Sequence, residues 1–411
     1  MLLNRIFIGM FVIPFIVGLC KLIFWQDVNI FDDMVKALFD AAKSGFELSL
    51  YLTGALCLWL GVMKIGEEGG AVRLLSRAVA PLFAKLFPEI PKDHPAVGSI
   101  MMNLSANMLG LDNAATPIGL KAMKEMQELN PSKTTASNAQ IMFLVINTAG
   151  LTIIPVSVLA FRSGAGSVNP SEVFIPILFT TFFTLICGIV MVAIKQRINL
   201  LNKIVLGYLG GLSLFLGALL YFIIENPQYT EVISKVGGNL LLLTIVITFI
   251  LLAVKNKINV YDKFIEGAKD GFQTAINIIP YLVAILVAIS LLRSSGTLDG
   301  IQDVIKSGLA MIGIFADQVV DALPVAYMKT FSGSGARGLM LETFETFGVD
   351  SFTAKLAATF QGSTETTFYV LALYFGSVKI ANTRYAAGIG LLTDLIGAII
   401  AIIMAYIFYP L

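Results

Sequence analysis

Residues 172–194 read EVFIPILFTTFFTLICGIVMVAI, with one charged residue, Glu172, at the leading edge. A helix needs about 20 predominantly apolar residues to cross a bilayer, and this run supplies them. It is too long and too continuous for a barrel strand, which alternates apolar and polar every second residue. In lipid every backbone polar group must be satisfied within the protein, so a run of this kind is a spanning helix.

Working outward, apolar runs of similar character lie at 6–24, 46–63, 139–161, 204–224, 237–254, 271–292, 352–378 and 386–409. The first has no small-residue cleavage site after it and is read as a retained span. An amphipathic stretch, 31–43, is expected on the membrane surface, and a second, 258–270, opens the second half. Segments 67–95, 96–129 and 298–350 mix charged and apolar residues. The whole chain is 57% hydrophobic and 13% charged, where a soluble domain carries about 25% charge. The expected fold class is an all-α polytopic membrane protein.

The same composition excludes several functions. A net charge of +1 and the lack of a dense basic run argue against nucleic acid as a partner. Cys20, Cys57 and Cys187 lie in apolar runs without a CxxC pair, and the lone histidine, His94, sits in a polar turn, so no metal site is expected. No P-loop, HExxH or GxSxG motif occurs. The chain is therefore expected not to be an enzyme, to have no catalytic residues and to hold no cofactor.

Lysine and arginine in short loops set orientation. Lys195, Arg197 and Lys203 mark one loop as internal, and Lys255, Lys257, Lys263 and Lys269 mark another. Counting back from these, 96–129 enters the membrane and returns on the same side. The two halves then have opposite orientation, and they also share motifs. Ala42-Lys43-Ser44-Gly45-Phe46 matches Ala268-Lys269-Asp270-Gly271-Phe272. A polar break follows in each half, at Asn103 to Pro117 and at Thr330 to Gly338. Each half then has a polar patch inside an apolar run, Asn147-Thr148-Ala149-Gly150-Leu151-Thr152 and Gln361-Gly362-Ser363-Thr364-Glu365-Thr366-Thr367. Inverted repeats with broken helices that meet at mid-membrane are a recurring plan of secondary transporters.

Irregular backbone at membrane depth is tolerated where protein buries it or a wet cavity borders it. Thr116 and Pro117 suit the start of a helix whose free N–H groups face a polar or anionic solute. Ionisable residues in membrane segments are costly unless paired or hydrated, which singles out Asp112, Arg337, Glu365 and Asp394. Asp112 and Arg337 fall at matching breaks, so a cross-repeat ion pair is one reading. Asp394 is read as a contact to a neighbouring helix. The expected substrate-binding residues are Asn103, Ser105, Asn107, Asp112, Asn113, Asn147 and Thr148 in the first half. In the second they are Ser332, Ser334, Arg337, Gln361, Ser363, Thr364, Glu365 and Thr366. Glu365 or Asp112 is the candidate to carry a coupling proton.

The stretch Asn103 to Pro117 resembles the spore maturation protein A family. Ser332 to Gly338 and Gln361 to Ala372 resemble the spore maturation protein B family. The resemblance covers nearly the whole chain, as A-like sequence over 1–200 and B-like sequence over 201–411, in the manner of a fusion. Both belong with the Gate, or nucleoside recognition, domain, shared with concentrative nucleoside transporters and the membrane part of ferrous iron transporter B. The resemblance implies two Gate-type repeats with re-entrant hairpins and broken helices in the bacterial inner membrane, and a tendency to form homo-oligomers. The expected function is transport or export of a small polar solute through a midplane site, with Na+ or H+ as coupling ion. The alternatives are a non-transporting scaffold or receptor in the envelope and a flippase for a lipid-linked carrier.

Overall fold

The computed structural model describes residues 2–311 and 316–409, with side chains described except at 2–6, 112–114, 231 and 309. Among the described residues, seven helices are long and apolar enough to cross a membrane. Many large apolar side chains on them face outward; Leu214 is 76% exposed and Leu251 62%. A soluble protein rarely exposes contiguous apolar surface on this scale, and a bilayer accounts for it. The chain is an all-α multi-pass membrane protein.

Helix α1 (Leu2–Phe24) leads into α2 (Ile30–Glu68), which is 39 residues long. There follow α3 (Ala71–Leu86), a helical hairpin of α4 (Pro95–Met108) and α5 (Asp112–Leu129), an interrupted helix of α6 (Asn138–Ala149) and α7 (Val156–Gly164), and α8 (Phe174–Gln196). A connector crosses twice. Its first limb is α9 (Lys203–Val205), a π-helical turn and α10 (Gly211–Glu225); its second is α11 (Thr230–Val232), another π-helical turn and α12 (Gly238–Lys255). The first order of elements then recurs. A 35-residue helix α13 (Val260–Ser294) precedes α14 (Thr297–Met311), a hairpin of α15 (Asp317–Phe331) and α16 (Gly333–Phe347), an interrupted helix of α17 (Phe352–Ser363) and α18 (Thr367–Ser377), and α19 (Ala386–Phe408).

The long helices α2 and α13 pack antiparallel. Ser290 Oγ donates to the Ala37 carbonyl at 2.9 Å near one end, and Lys64 pairs with Glu266 at 3.4 Å near the other. Glycine makes this approach possible, as small residues do between membrane helices. A Cβ on Gly45 would stand 3.2 Å from Cα of Val283, and one on Gly271 would stand 2.7 Å from Cα of Cys57. One offset in sequence relates Gly45 to Gly271 and Cys57 to Val283, so each half makes the same contact with the other. Helices α8 and α19 also pair antiparallel, Gly188 facing Thr393 and Gly397 facing Thr184. In the interrupted helices, the chain before α6 meets the chain after α18, and Arg162 near the end of α7 meets Asp350 just before α17.

Two expectations need correction. The amphipathic stretch 31–43 is not a separate surface helix; it and 258–270 are each continuous with the span that follows, inside α2 and α13. The glycine that follows each stretch, Gly45 or Gly271, sits at the crossing of these two helices. Thr116 is also not a helix cap, because α5 begins at Asp112 and Pro117 lies inside it.

Candidate functional site

Four irregular segments converge between the halves. The first is the tip of the α4–α5 hairpin, where Gly110 has φ +72° and a Cβ would stand 2.7 Å from the Ile154 carbonyl oxygen. The second is the break between α6 and α7. There Ile153 donates its N–H to the Met108 carbonyl at 2.7 Å, so hairpin tip and break share a hydrogen bond. Gly150 opens this break at φ +57°, and a Cβ would stand 3.1 Å from the Glu365 nitrogen. The third is the break between α17 and α18, whose Glu365 N–H donates to the Thr148 carbonyl at 2.8 Å. The fourth is the second hairpin tip, where a Cβ on Gly333 would stand 3.0 Å from Thr366 Oγ1. Chain that would be orphaned in lipid is satisfied here by neighbouring chain, as membrane burial requires.

A cavity of about 320 Å³ opens beside these segments. Its polar wall holds Arg337, Gln361, Thr364 and Glu365, with Thr152, Thr274, Lys329 and Asp270. Leu60, Met63 and Val156 are among its apolar lining. Lys64, which lines the cavity, lies 3.1 Å from Glu68 and 3.4 Å from Glu266, and Lys263 lies 2.7 Å from Glu266, so charges link α2 to α13.

The other expected residues fall elsewhere. Asn103, Asn107 and Asn147 form a cluster behind the cavity. Asn107 Nδ2 donates to Asn147 Oδ1 at 2.6 Å, Asn103 Nδ2 to the Ala115 carbonyl at 2.8 Å, and Tyr374 from α18 reaches both Asn103 and Asn147. Ser105 and Thr148 are fully buried beside them. Ser332 caps α16, its Oγ accepting the Gly335 N–H at 3.0 Å, and Ser334 follows in that first turn. Ser363 Oγ donates to the Phe360 carbonyl at 2.8 Å, and Thr366 precedes α18. The side chains of Asp112 and Asn113, and with them the Asp112–Arg337 pair, lie outside the described residues.

Several of these groups have polar atoms that the fold leaves unmatched. Among the described residues, Asn103 Oδ1, Ser105 Oγ, Thr148 Oγ1, Gln361 Oε1 and Arg337 Nε have no hydrogen-bond partner. Each such buried group costs about 1–3 kcal/mol, and they gather at the breaks and the cavity. Near the end of α7, Arg162 leaves its Nε unmatched as well, but its two terminal nitrogens are used. It is fully buried, donating to the Val349 carbonyl and to Asp350 Oδ1, both at 2.8 Å. Asp350 also accepts from Ser167 Oγ at 2.6 Å and from the Val168 N–H at 2.9 Å. Burial pushes the Asp350 carboxyl up, but Ser167, the Val168 amide and Arg162 together hold it below the usual carboxylate range.

Sequence reasoning missed Lys329, Asp270 and Tyr374. Asp270 lay in the repeated Ala-Lys-x-Gly-Phe motif, and Lys329 stands three residues before the Ser332 break. Tyr374 sits in an apolar run and gave no signal.

The Gate family profile, described as nucleoside recognition, matches residues 49–201. Spore maturation protein A of Bacillus subtilis (strain 168) is 40% identical over 190 residues, which is 46% of this chain and 93% of that protein. Spore maturation protein B of the same organism is 43% identical over 172 residues, 42% of this chain and 94% of that protein. Each relative is thus matched almost end to end by about half of this chain, as a fusion would give. The chain belongs to the Gate, or nucleoside recognition, family of membrane proteins, with similarity to both spore maturation proteins A and B in one polypeptide.

Proposed function

We propose that this protein is a transporter or exporter of a small polar solute in the bacterial inner membrane. The observation that carries the reading is the polar cavity of about 320 Å³ beside the two helix breaks. That is within the range of small-molecule sites, about 300–1,000 Å³. Arg337, Glu365, Gln361 and Thr364 offer a cation, an anion, an amide and a hydroxyl to the solute. The asparagine cluster at Asn103, Asn107 and Asn147, with Ser105 and Thr148, backs the first break and fixes its shape. Ser332, Ser334, Ser363 and Thr366 shape the second hairpin tip and break, and Asp112 and Asn113 open the helix after the first tip.

The same element order in both halves, and their antiparallel pairing, support reading 1–200 and 201–411 as two inverted repeats. Alternating access then amounts to motion of one repeat against the other around the fixed cavity. The cavity weighs against a scaffold with closed, dry breaks. Na+ or H+ is the expected coupling ion, and the assembly state is expected to follow the family's tendency to oligomerise.

Thermal unfolding of the full chain in detergent, against nucleosides, amino acids, small acids, divalent cations and lipid carriers, tests this. A ligand at 100 times its dissociation constant adds about 2.7 kcal/mol of stability if it binds only the folded state. Glu365→Gln should fold normally and lose that stabilisation. A stabilisation unchanged in Glu365→Gln would remove Glu365 from the site.

A further inference from the structure

We propose that Asp394 is the centre of a monovalent-cation site that takes Na+, with the hydroxyls of Thr330, Thr364 and Thr367 as further ligands. Asp394 sits mid-way along α19 and is only 8% exposed, and neither carboxylate oxygen has a hydrogen-bond partner among the described residues. The three threonine hydroxyls surround it without closing a hydrogen bond of good geometry. Thr367 is fully buried, and its Oγ1 is likewise unmatched. A dry carboxylate in a membrane helix is costly unless something neutralises it.

The surroundings are built to bring oxygen to this point. Gly390 and Gly397 flank Asp394 on the same face of α19, one turn to either side. A Cβ on Gly390 would stand 2.8 Å from Thr367 Cγ2, and one on Gly397 would stand 2.8 Å from Thr364 Cγ2. Only glycine lets both threonines of the break seat against α19. Helix α17 ends at Ser363, and the chain turns extended at Thr364 (φ −146°, ψ 169°). A helix C-terminus leaves carbonyls without intrahelical donors and carries partial negative charge, which favours a cation.

Charge decides the valence. The charged residues that line the cavity balance, Lys64, Lys329 and Arg337 against Glu67, Asp270 and Glu365, and Asp394, on which Lys329 also acts, adds one negative charge among the described residues. Divalent ions favour several carboxylates, and no group of three His, Cys, Asp or Glu side chains is gathered among the described residues. Lys329, from α15, acts on Asp394 and also lines the cavity. An anionic group in the cavity would draw the Lys329 ammonium toward itself and leave Asp394 to the ion. As the seat of a coupling ion the site rests on the transport reading; as a binding site it does not.

The test is equilibrium binding to the purified full chain in detergent. NaCl is titrated against choline chloride at constant ionic strength, reading the unfolding midpoint and bound radioactive sodium. Saturable stabilisation by Na+ is expected, and it should vanish in Asp394→Asn while persisting in Glu365→Gln. Because Thr367 Oγ1 has no partner to lose, Thr367→Val should fold as the wild type does, yet weaken half-saturation by roughly tenfold for one lost ligand. Lys329→Gln should tighten binding by removing the competing ammonium. No sodium response in the wild type, or one that survives Asp394→Asn, would overturn the site; so would a response to pH alone that Asp394→Asn abolishes, which would assign the carboxylate to a proton. Sodium binding intact in a protein that moves no solute would instead overturn the transport reading.

Discussion

Replacing Asp350 with asparagine probes the clamp that ties the end of α7 to the start of α17. The Arg162 guanidinium is fully buried and keeps its Val349 contact in the variant, but loses the carboxylate at 2.8 Å. Asparagine also puts an N–H2 where one oxygen accepts, from either Ser167 Oγ or the Val168 N–H. Breaking a buried pair by removing one partner costs about 3–5 kcal/mol. The Asp350 side chain is 35% exposed, so water recovers part of the loss and about 2–3 kcal/mol is the expected cost, near the range for hydrogen bonds to charged groups. Reversible unfolding in mixed detergent and SDS measures it. Arg162→Met alone should cost a similar amount by stranding Asp350, and the double variant should cost about 1.5–3 kcal/mol less than the two singles added, the signature of direct coupling. Additive losses, or a loss under about 0.5 kcal/mol for Asp350→Asn, within the range of ordinary surface changes, would refute the clamp.

The same group sets an acid limit. Its folded-state pKa is depressed, so its stabilisation is complete above the unfolded value of about 3.9 and drains away as pH falls through the lower folded value. Unfolding midpoints should therefore be insensitive to Asp350 between neutral pH and that limit, then fall below it, and the fall should be shallower in Asp350→Asn. Gly271→Leu should force α2 and α13 apart, since even a Cβ would stand 2.7 Å from Cα of Cys57; overpacking costs about 1–3 kcal/mol or more. Gly45→Leu should lose a comparable amount in the same unfolding assay, because it makes the equivalent contact from the other half. Gly54→Leu is the control, with nothing within 4 Å of its Cβ, and should leave the midpoint in place.

The spans were legible because their signal is local: a run such as 174–196 needs only length and apolarity. The hairpins and breaks were legible because Gly, Asn and Ser interrupt runs that would otherwise continue. What sequence pattern could not settle was whether an amphipathic stretch stops before its span. The glycine after Lys43-Ser44 reads equally as a turn or as a close crossing, and only the Val283 backbone beside Gly45 decides. The site divided in the same way. Arg337, Gln361, Thr364 and Glu365 stand in the cavity wall, because a charge or amide in an apolar run has few other uses. Asn103, Asn107 and Asn147 carry the same chemistry but are tied together behind the wall, Asn107 donating to Asn147 and Tyr374 bridging Asn103 and Asn147. Asp394 looked like a simple helix contact because the threonines around it come from α15 and from the break before α18, distant in sequence.

Where the two breaks touch, the halves are not equivalent. Leu151 and Glu365 hold the fifth place of the aligned patches Asn147 to Leu151 and Gln361 to Glu365, and the Glu365 nitrogen rests against Thr148. Two identical halves brought together would place a pair of carboxylates there, or a pair of leucines. A single polypeptide carrying both versions removes that choice: each particle receives one acid and one leucine whatever the level of expression, and no step of subunit selection is needed to secure it.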